Sequence, residues 1–304
     1  MIFKGGTMDI SKLEAFMVLA ETGNFTRAAD ELFISQPALS KQISALESEL
    51  KVPLFNRSKK MTSLTLYGEY LVPYAQNMLA NYRNAKEHIL QIEDLHEGTL
   101  RFGATNFIGV YLLPPYLAQF QSLFPSLTLD FTINSSRNII GKLTSYELEF
   151  ILLSDYIDID KSRFARIPWY KDELQVVVGR QCPLFEKERV TFDDLKEYTF
   201  ITKSPSSSIF HFLQHQISGA FQPKNYLYIS HQDAIKYAVL YGMGFSLLSP
   251  KAVTIEVQAG LIKALPLDGV DLSRTIEIVH EKKRHLTPAS EKFLEILTQQ
   301  RPSI

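Results

Sequence analysis

The chain has 304 residues, of which 45% are hydrophobic and 21% charged, so it is long enough for two globular domains. Its formal net charge of -1 excludes an overall attraction for nucleic acid, and its one cysteine, Cys182, excludes an internal disulfide. No apolar run reaches the roughly 18 residues of a membrane span, and residues 1–7 lack a signal-peptide core, so we expect a cytoplasmic protein without membrane partners.

Two short helices are the first elements that the sequence predicts. Apolar residues recur at helical spacing from Leu13 to Ala20, and Gly23 fits a left-handed helix end. Asn24 can cap a second helix. The apolar positions of that second helix are Phe25, Ala28, Ala29, Leu32 and Phe33.

A third helix is predicted over residues 36–50, with Ser35 as its N-cap and Pro37 in its first turn. Its two faces differ sharply. The core face is formed by Leu39, Ile43, Leu46 and Leu50. The opposite face is polar and free of acids, with Gln36, Ser40, Lys41 and Ser44. Such a face suits a recognition helix in the major groove of DNA, and the alternative is an ordinary solvated face.

A basic segment follows this helix. Residues 51–60 contain four cations and no acid, and a short strand starts near Val52. The cations are Lys51, Arg57, Lys59 and Lys60. A basic turn beside a recognition helix favours a wing, because phosphate contacts supply most of the affinity for DNA.

These residues carry a family resemblance. The segments Asn24-Phe-Thr-Arg-Ala-Ala-Asp-Glu-Leu, Ile34-Ser-Gln-Pro-Ala-Leu-Ser-Lys-Gln-Ile, Leu46-Glu47 and Pro53-Leu-Phe-Asn-Arg57 resemble the winged helix-turn-helix of LysR-type transcriptional regulators. The resemblance implies a domain over residues 8–65 and DNA contacts from Thr26, Arg27, Ser35, Gln36, Pro37, Ser40, Lys41, Arg57 and Lys59. Lys51 departs from the family, which usually has Gly there, so a left-handed conformation would be strained.

Residues 66–97 predict a long linker helix, capped by Thr65 and bent near Pro73. An apolar stripe runs along it, formed by Leu71, Tyr74, Met78, Ala85, Ile89 and Ile92. An exposed helix of this length needs a partner for such a stripe. The partner is either the chain's own C-terminal domain or a second copy. The resemblance implies a homodimer through paired linker helices, assembled further into a tetramer, on double-stranded DNA with a dyad-symmetric site.

From residue 98 to 304 the predicted strands and helices alternate, which indicates an α/β domain. The strands are predicted at 100–104, 127–133, 149–153, 174–178, 200–201, 226–229, 245–248 and 275–280. The segments Gly98-Thr-Leu-Arg-Phe-Gly, Pro183-Leu184, Tyr241-Gly-Met-Gly-Phe-Ser-Leu-Leu-Ser-Pro250 and Leu286-Thr-Pro-Ala-Ser290 resemble the family's two-lobed, periplasmic-binding-protein-like effector domain. We expect lobe one over about 98–160 and 268–304, and lobe two over about 161–267.

Ligands of such folds bind between the lobes, at strand carboxyl ends and helix N-termini. This geometry selects polar residues that follow predicted strands. They are Thr105, Asn106, Ser135, Ser136, Lys203, Ser204, Ser206, His231 and Gln232. Free backbone N–H groups at helix starts favour an anion, so we expect a small carboxylate or another anion as effector. The alternative for each residue is ordinary helix capping.

No catalytic set is predicted. His211 and His215 stand four apart, but Phe212 follows the first where a zinc protease has Glu, so we interpret the pair as structural. Ser204-Pro-Ser-Ser-Ser208 has no nucleophile elbow. We therefore expect no metal, no cofactor and no enzyme. We expect a transcription regulator. The resemblance implies an activator that also contacts RNA polymerase. We expect its effector to shift the equilibrium between different arrangements of the two lobes. The alternatives are a solute-binding or transport-related protein and a metabolic enzyme.

Overall fold

The computed structural model describes residues 9–57, 62–93, 97–217, 219 and 221–299. They form two compact units. The first contains the described residues up to Glu93 together with Thr144–Glu147, and the second contains the rest. Each unit is described by itself. Across these residues, no helix combines the length and the apolarity that crossing a bilayer requires.

The first unit begins with three helices and a hairpin, followed by one long helix. These are α1 (Ile10–Thr22), α2 (Phe25–Glu31), α3 (Gln36–Leu50), β1 (Phe55–Arg57), β2 (Thr62–Leu64) and α4 (Leu66–Glu93). The predicted helix ends are confirmed. Gly23 is left-handed with φ 61°, Asn24 accepts from two backbone N–H groups of α2, and Ser35 accepts from the N–H of Ala38.

The core of this unit lies where α1, α2 and α3 meet. Leu39, Ile43 and Leu46 of α3 are fully buried against Phe16 of α1, which also packs against Phe55 of β1. The predicted core face of α3 is therefore confirmed for these three residues.

Phe33 was expected on the apolar face of the second helix, and this expectation is wrong. The residue lies in the turn beyond α2, has φ 55°, and is 96% exposed. The helix ends at Glu31, so the spacing that would have placed Phe33 in the core no longer applies. Lys51 has φ 59°, the strained left-handed conformation expected for it.

The long helix α4 continues through Pro73. Its start is fixed by Thr65, whose Oγ1 accepts from the N–H of Gly68 at 3.1 Å and donates to the carbonyl of Pro53 at 2.7 Å. Within the single chain, the stripe residues Tyr74 and Ile89 remain exposed.

The second unit alternates strands and helices. Its strands are β3 (Thr99–Ala104), β4 (Thr128–Ile133), β5 (Phe150–Ser154), β6 (Phe164–Glu173), β7 (Gln175–Gly179), β8 (Thr199–Thr202), β9 (Asn225–Tyr228), β10 (Phe245–Leu248), β11 (Ile262–Leu265) and β12 (Ser273–Glu281). Its helices are α5 (Pro114–Leu123), α6 (Ser136–Thr144), α7 (Phe192–Leu195), α8 (Ser208–Gln216), α9 (Gln232–Leu240), α10 (Thr254–Gln258) and α11 (Pro288–Gln299).

Two five-stranded sheets divide this unit into two lobes. The order β4-β3-β5-β12-β6 defines the first lobe, and β11-β7-β10-β8-β9 defines the second. In the first lobe, stacked Phe102 and Phe150 lie 4.9 Å apart against Phe293 of α11. In the second, Phe200 and Phe245 stack at 5.2 Å. Each lobe thus has its own aromatic core, and the predicted α/β architecture is confirmed.

Strand β6 was not predicted, and the expected start of lobe two near residue 161 was wrong as a result. β6 pairs with β12 along its whole length and belongs to the first sheet. Its burial does not alternate, and it contains Pro168, so it lacks the period of a half-buried strand. The chain crosses between the lobes at Leu174 and again between Leu265 and Ser273. The remaining domain boundaries stay predictions.

Candidate DNA-binding and effector sites

The acid-free face of α3 lies on the surface of the first unit. Ser35, Gln36 and Lys41 are exposed, Pro37 is exposed beside them, and Ser40 is half-buried. These residues can face a ligand because the opposite side of α3 is anchored in the core. Their contact with DNA stays a prediction.

The first turn of α2 carries two more of the predicted contacts. The side chains of Thr26 and Arg27 are exposed. Their backbone N–H groups donate to Oδ1 of Asn24, at 2.9 and 3.1 Å. Asn24 therefore accepts from two of the free backbone N–H groups at the start of α2, and the side chains of Thr26 and Arg27 stay available to phosphates.

The predicted wing corresponds to the β1–β2 hairpin. Arg57 pairs in register with Thr62 across it, whereas Lys59 and the side chain of Arg57 lie outside the described residues. The hairpin is joined to α3 by Glu47, a residue that was not predicted to matter. Glu47 Oε1 accepts from the N–H groups of Leu54 at 2.8 Å and Phe55 at 3.2 Å.

A cavity of about 720 Å³ lies between the two lobes of the second unit. Its lining includes eight of the nine predicted effector residues: Thr105, Asn106, Ser135, Ser136, Lys203, Ser206, His231 and Gln232. Ser204 does not line it, and its hydroxyl instead lies 3.0 Å from that of Ser206. The size is typical of small-molecule sites. Binding of an effector by these residues stays a prediction.

The formally charged side chains that line this cavity are all cationic. Arg137, Lys203 and Arg274 line it, and its lining as described contains no Asp or Glu. Arg137 is exposed, whereas Arg274 is buried and Lys203 is half-buried. The interior therefore favours a negatively charged ligand.

Arg274 was missed by sequence reasoning because its partners are distant along the chain. Its guanidinium is ion-paired with Asp172 at 2.7 Å and lies 4.5 Å from the ring centre of Phe107. Ser249 donates to the other oxygen of Asp172 at 2.6 Å. The last strand was predicted from residue 275, so Arg274 itself was left outside every predicted strand.

Lys203 differs from Arg274 in its partners. Over the described part of the chain, no carboxylate forms an ion pair with it. Burial and the nearby charge of Arg274 lower the pKa of the Lys203 ammonium below its usual value. An anion in the cavity would relieve both effects, because it would give the ammonium a counter-charge.

Three helices start at the cavity. Ser135 Oγ accepts from the N–H of Asn138 in α6, and Ser207 Oγ accepts from the N–H of Phe210 in α8, so helix capping does occupy these hydroxyls. His231 makes no side-chain cap to α9. Among the described residues, buried Asn106 Oδ1 has no hydrogen-bond partner. Capping thus accounts for some polar residues of the cavity and leaves others available.

A second cavity of about 580 Å³ adjoins the first. The exposed rings of His211 and His215 line it opposite Arg137 and Asp158, so the histidines lie at the surface and not in a core. The hydroxyls of Ser136 and Ser208, 3.0 Å apart, line both cavities and link the lobes. No group of three or more metal-ligating side chains occurs in the described ranges.

Comparisons with known proteins identify the same protein family for both units. Residues 10–69 match the family model of the bacterial regulatory helix-turn-helix protein, lysR family, and residues 93–302 match the LysR substrate binding domain. The chain is 30% identical over 286 residues to the HTH-type transcriptional regulator CysL of Bacillus subtilis, covering 94% of this chain and 95% of that protein. It is also 30% identical over 296 residues to a probable RuBisCO transcriptional regulator of Trichormus variabilis, covering 95% and 88%.

Solved structures of similar fold include a full-length OxyR variant from Pseudomonas aeruginosa, with 25% identity, a TM-score of 0.71, and coverage of 97% of this chain and 94% of that one. CbnR complexed with its target DNA has a TM-score of 0.71 at 18% identity, covering 96% and 99%. This second similarity concerns the fold alone.

Proposed function

The chain belongs to the LysR family of bacterial transcription regulators, and we propose that a small organic anion in the lobe cavity controls how it binds DNA. The observation that carries the proposal is the charge of the cavity, which presents Arg137, Lys203 and Arg274 and no described carboxylate in its lining. Because Lys203 has no ion-pair partner among the described residues, it is the group that gains most from an anion.

The DNA contacts that we propose lie on the first unit. Gln36 and Lys41 on the acid-free face of α3 reach the major groove, and Thr26 and Arg27 meet phosphates. Arg57 and Lys59 of the wing complete the set. The support is that the four members of this set with described side chains are exposed, and that the two on α3 lie opposite its buried side.

We propose a homodimer through α4, because Tyr74, Met78 and Ile89 leave large apolar surfaces exposed on that helix. A two-fold dimer carries two recognition helices and therefore favours a dyad-symmetric site on double-stranded DNA. The proposal also includes a tetramer assembled from two such dimers, activation through RNA polymerase and action in the cytoplasm.

Isothermal titration with a panel of carboxylates and sulfonates tests the effector proposal. Choline serves as a cationic control. We expect saturable binding of anions and none of choline, and about tenfold weaker binding in Lys203→Gln, equal to about 1.4 kcal/mol. Lys292→Gln removes an exposed lysine of α11 and should bind like the parent chain. If no anion binds, or if both variants bind equally, the cavity is not an anion site.

Fluorescence anisotropy on the fragment upstream of the chain's own gene tests the DNA contacts. We expect Arg27→Gln to weaken binding and to reduce the salt slope by about one, as the loss of one phosphate contact does. Lys196→Gln, in the second lobe, is the control. A solute-binding protein with a helical N-terminus would bind the anion and show no such DNA binding.

A further inference from the structure

The floor of the effector cavity consists of Arg274 and Lys203 of its lining, with the Asp172 carboxylate behind Arg274. Arg274 and Asp172 form a buried ion pair at the crossing between the lobes. Asp172 is the last residue but one of β6 and Arg274 is the second residue of β12, and the two residues pair directly in register. Nε and Nη2 of Arg274 both lie 2.7 Å from Oδ2 of Asp172. The side chains are only 5% and 2% exposed, so solvent screens this pair very little.

A lobe-two hydroxyl completes the arrangement. Ser249 follows β10 and donates to Oδ1 of Asp172 at 2.6 Å, so both carboxylate oxygens are engaged. The guanidinium, held between Asp172 and the ring of Phe107, has a fixed position in the cavity wall. Asp172 itself does not line the cavity. It acts on a ligand through its charge and through Arg274.

The charges of this floor leave one positive charge in excess; Arg137, the third cation of the cavity lining, is exposed, so water screens its charge. Asp172 balances Arg274, and Lys203 has no ion-pair partner among the described residues. The attraction of an anion to such a site grows in proportion to the anion's charge. The cost of removing the anion from water grows with the square of that charge, as in the Born treatment of desolvation. One excess charge therefore offsets the desolvation of a monoanion far better than that of a dianion.

We propose that Asp172 is a specificity-determining residue, which makes the cavity floor select an anionic group with one negative charge over one with two. The inference rests on the proposed anion site and names the class of its ligand: a carboxylate or sulfonate in preference to a doubly charged phosphate or sulfate. A purely structural Asp172 would hold β6 and β12 together without influencing this choice.

Methanesulfonate and sulfate are the probes that separate these roles. Both are tetrahedral sulfur oxyanions of similar size, they carry one and two charges, and neither titrates near neutral pH. We expect the full-length chain, titrated at constant ionic strength, to bind methanesulfonate more tightly than sulfate. In Asp172→Asn the floor gains a second excess charge, and the ratio of the two Kd values should shift about tenfold toward sulfate. The new amide can still accept from Arg274 and donate to the hydroxyl of Ser249.

A double variant keeps the inference testable if Asp172→Asn does not fold, because removing both partners of a buried ion pair destabilises a protein less than removing one. Asp172→Asn with Arg274→Gln restores one excess charge, so its ratio should equal that of the parent chain. If Asp172 has no electrostatic role, the double variant lacks only the positive charge of Arg274, and its ratio should shift against sulfate. That shift, or an unchanged ratio in Asp172→Asn, overturns the inference.

Glu149→Gln is the matched control. Glu149 is also a buried carboxylate of the first lobe, and it accepts from the N–H of Thr287 at 2.8 Å, outside the cavity. Its replacement should leave the ratio unchanged, and a shift as large as in Asp172→Asn would overturn the assignment to Asp172. If the parent chain binds neither these probes nor any other anion, the proposed function fails. If it binds them but the ratio of the two Kd values is the same in Asp172→Asn as in the parent chain, only this inference fails.

Discussion

Removal of the Glu47 carboxylate should detach the wing from the recognition helix. In Glu47→Ala, the N–H groups of Leu54 and Phe55 lose the oxygen to which they donate at 2.8 and 3.2 Å. A hydrogen bond to a charged group contributes about 1.5–3 kcal/mol. Because this site is only partly buried, the lower value applies to each bond, and the pair together should contribute about 3 kcal/mol.

Glu47→Gln is the matched variant for this prediction. Both N–H groups donate to the same oxygen, Oε1, and the glutamine side chain has an oxygen that can take that place. The geometry is kept and the charge is lost, so the cost should be about 1 kcal/mol, the difference between a charged and a neutral acceptor.

Hydrogen–deuterium exchange at the amides of Leu54 and Phe55 measures both effects directly, since local opening controls the exchange. At about 1.4 kcal/mol per factor of ten, exchange should accelerate about 100-fold in the alanine variant and about fivefold in the glutamine variant. Amides of β7 in the second unit serve as internal references. Equal acceleration in both variants, or less than about threefold in Glu47→Ala, would refute the reasoning. DNA affinity should fall in the same order.

Further predictions concern the backbone and the cavity. Phe33→Asn should stabilise the first unit by about 0.5–1 kcal/mol, because an exposed side chain is removed from a left-handed position that Asn tolerates better; a lower thermal midpoint would contradict this. Gly68→Ala should destabilise it by about 1–3 kcal/mol, because the new Cβ would lie 2.4 Å from the carbonyl oxygen of Leu54. Gly141→Ala, whose Cβ would have no neighbouring atom of the described residues within 4 Å, is the control and should not destabilise. Anion affinity should fall as the pH rises toward 10.5, the ordinary pKa of lysine, and the fall should begin below that value, because the anion favours the charged ammonium of Lys203 and burial has lowered its pKa. Titrations in Lys203→Gln should lose this dependence.

Local features of the sequence predicted the first unit well. The caps Asn24 and Ser35, the helix end at Gly23 and the buried face of α3 depend on residues within one or two helical turns of each other. Phe33 was misplaced because apolar spacing continues past the point where the backbone leaves the helix. Glu47 went unnoticed because its partners, seven and eight residues away, are backbone groups that any sequence supplies.

The effector cavity was predictable only in part. Residues that follow parallel strands meet at one edge of their own sheet, and ligands of two-lobed folds bind between two such edges. This is why Thr105 and Ser136 of the first lobe and Lys203 of the second were placed at the cavity in advance. Arg274 and Asp172 are 102 residues apart, and their pairing depends on the register of β12 with β6. β6 has no alternating pattern, so neither that register nor the buried charge pair could be derived from the sequence.

The lobes of the second unit are joined by two passages of the chain, one at Leu174 and one between Leu265 and Ser273. A rotation of one lobe against the other would change a few backbone angles there and leave every ladder of both sheets intact. Besides bending at these two passages, such a rotation has to break hydrogen bonds between the lobes, among them Ser136 to Ser208 and Ser249 to Asp172. A ligand that binds one lobe arrangement a few kcal/mol more tightly than the other can therefore shift the equilibrium between them while both sheets stay folded.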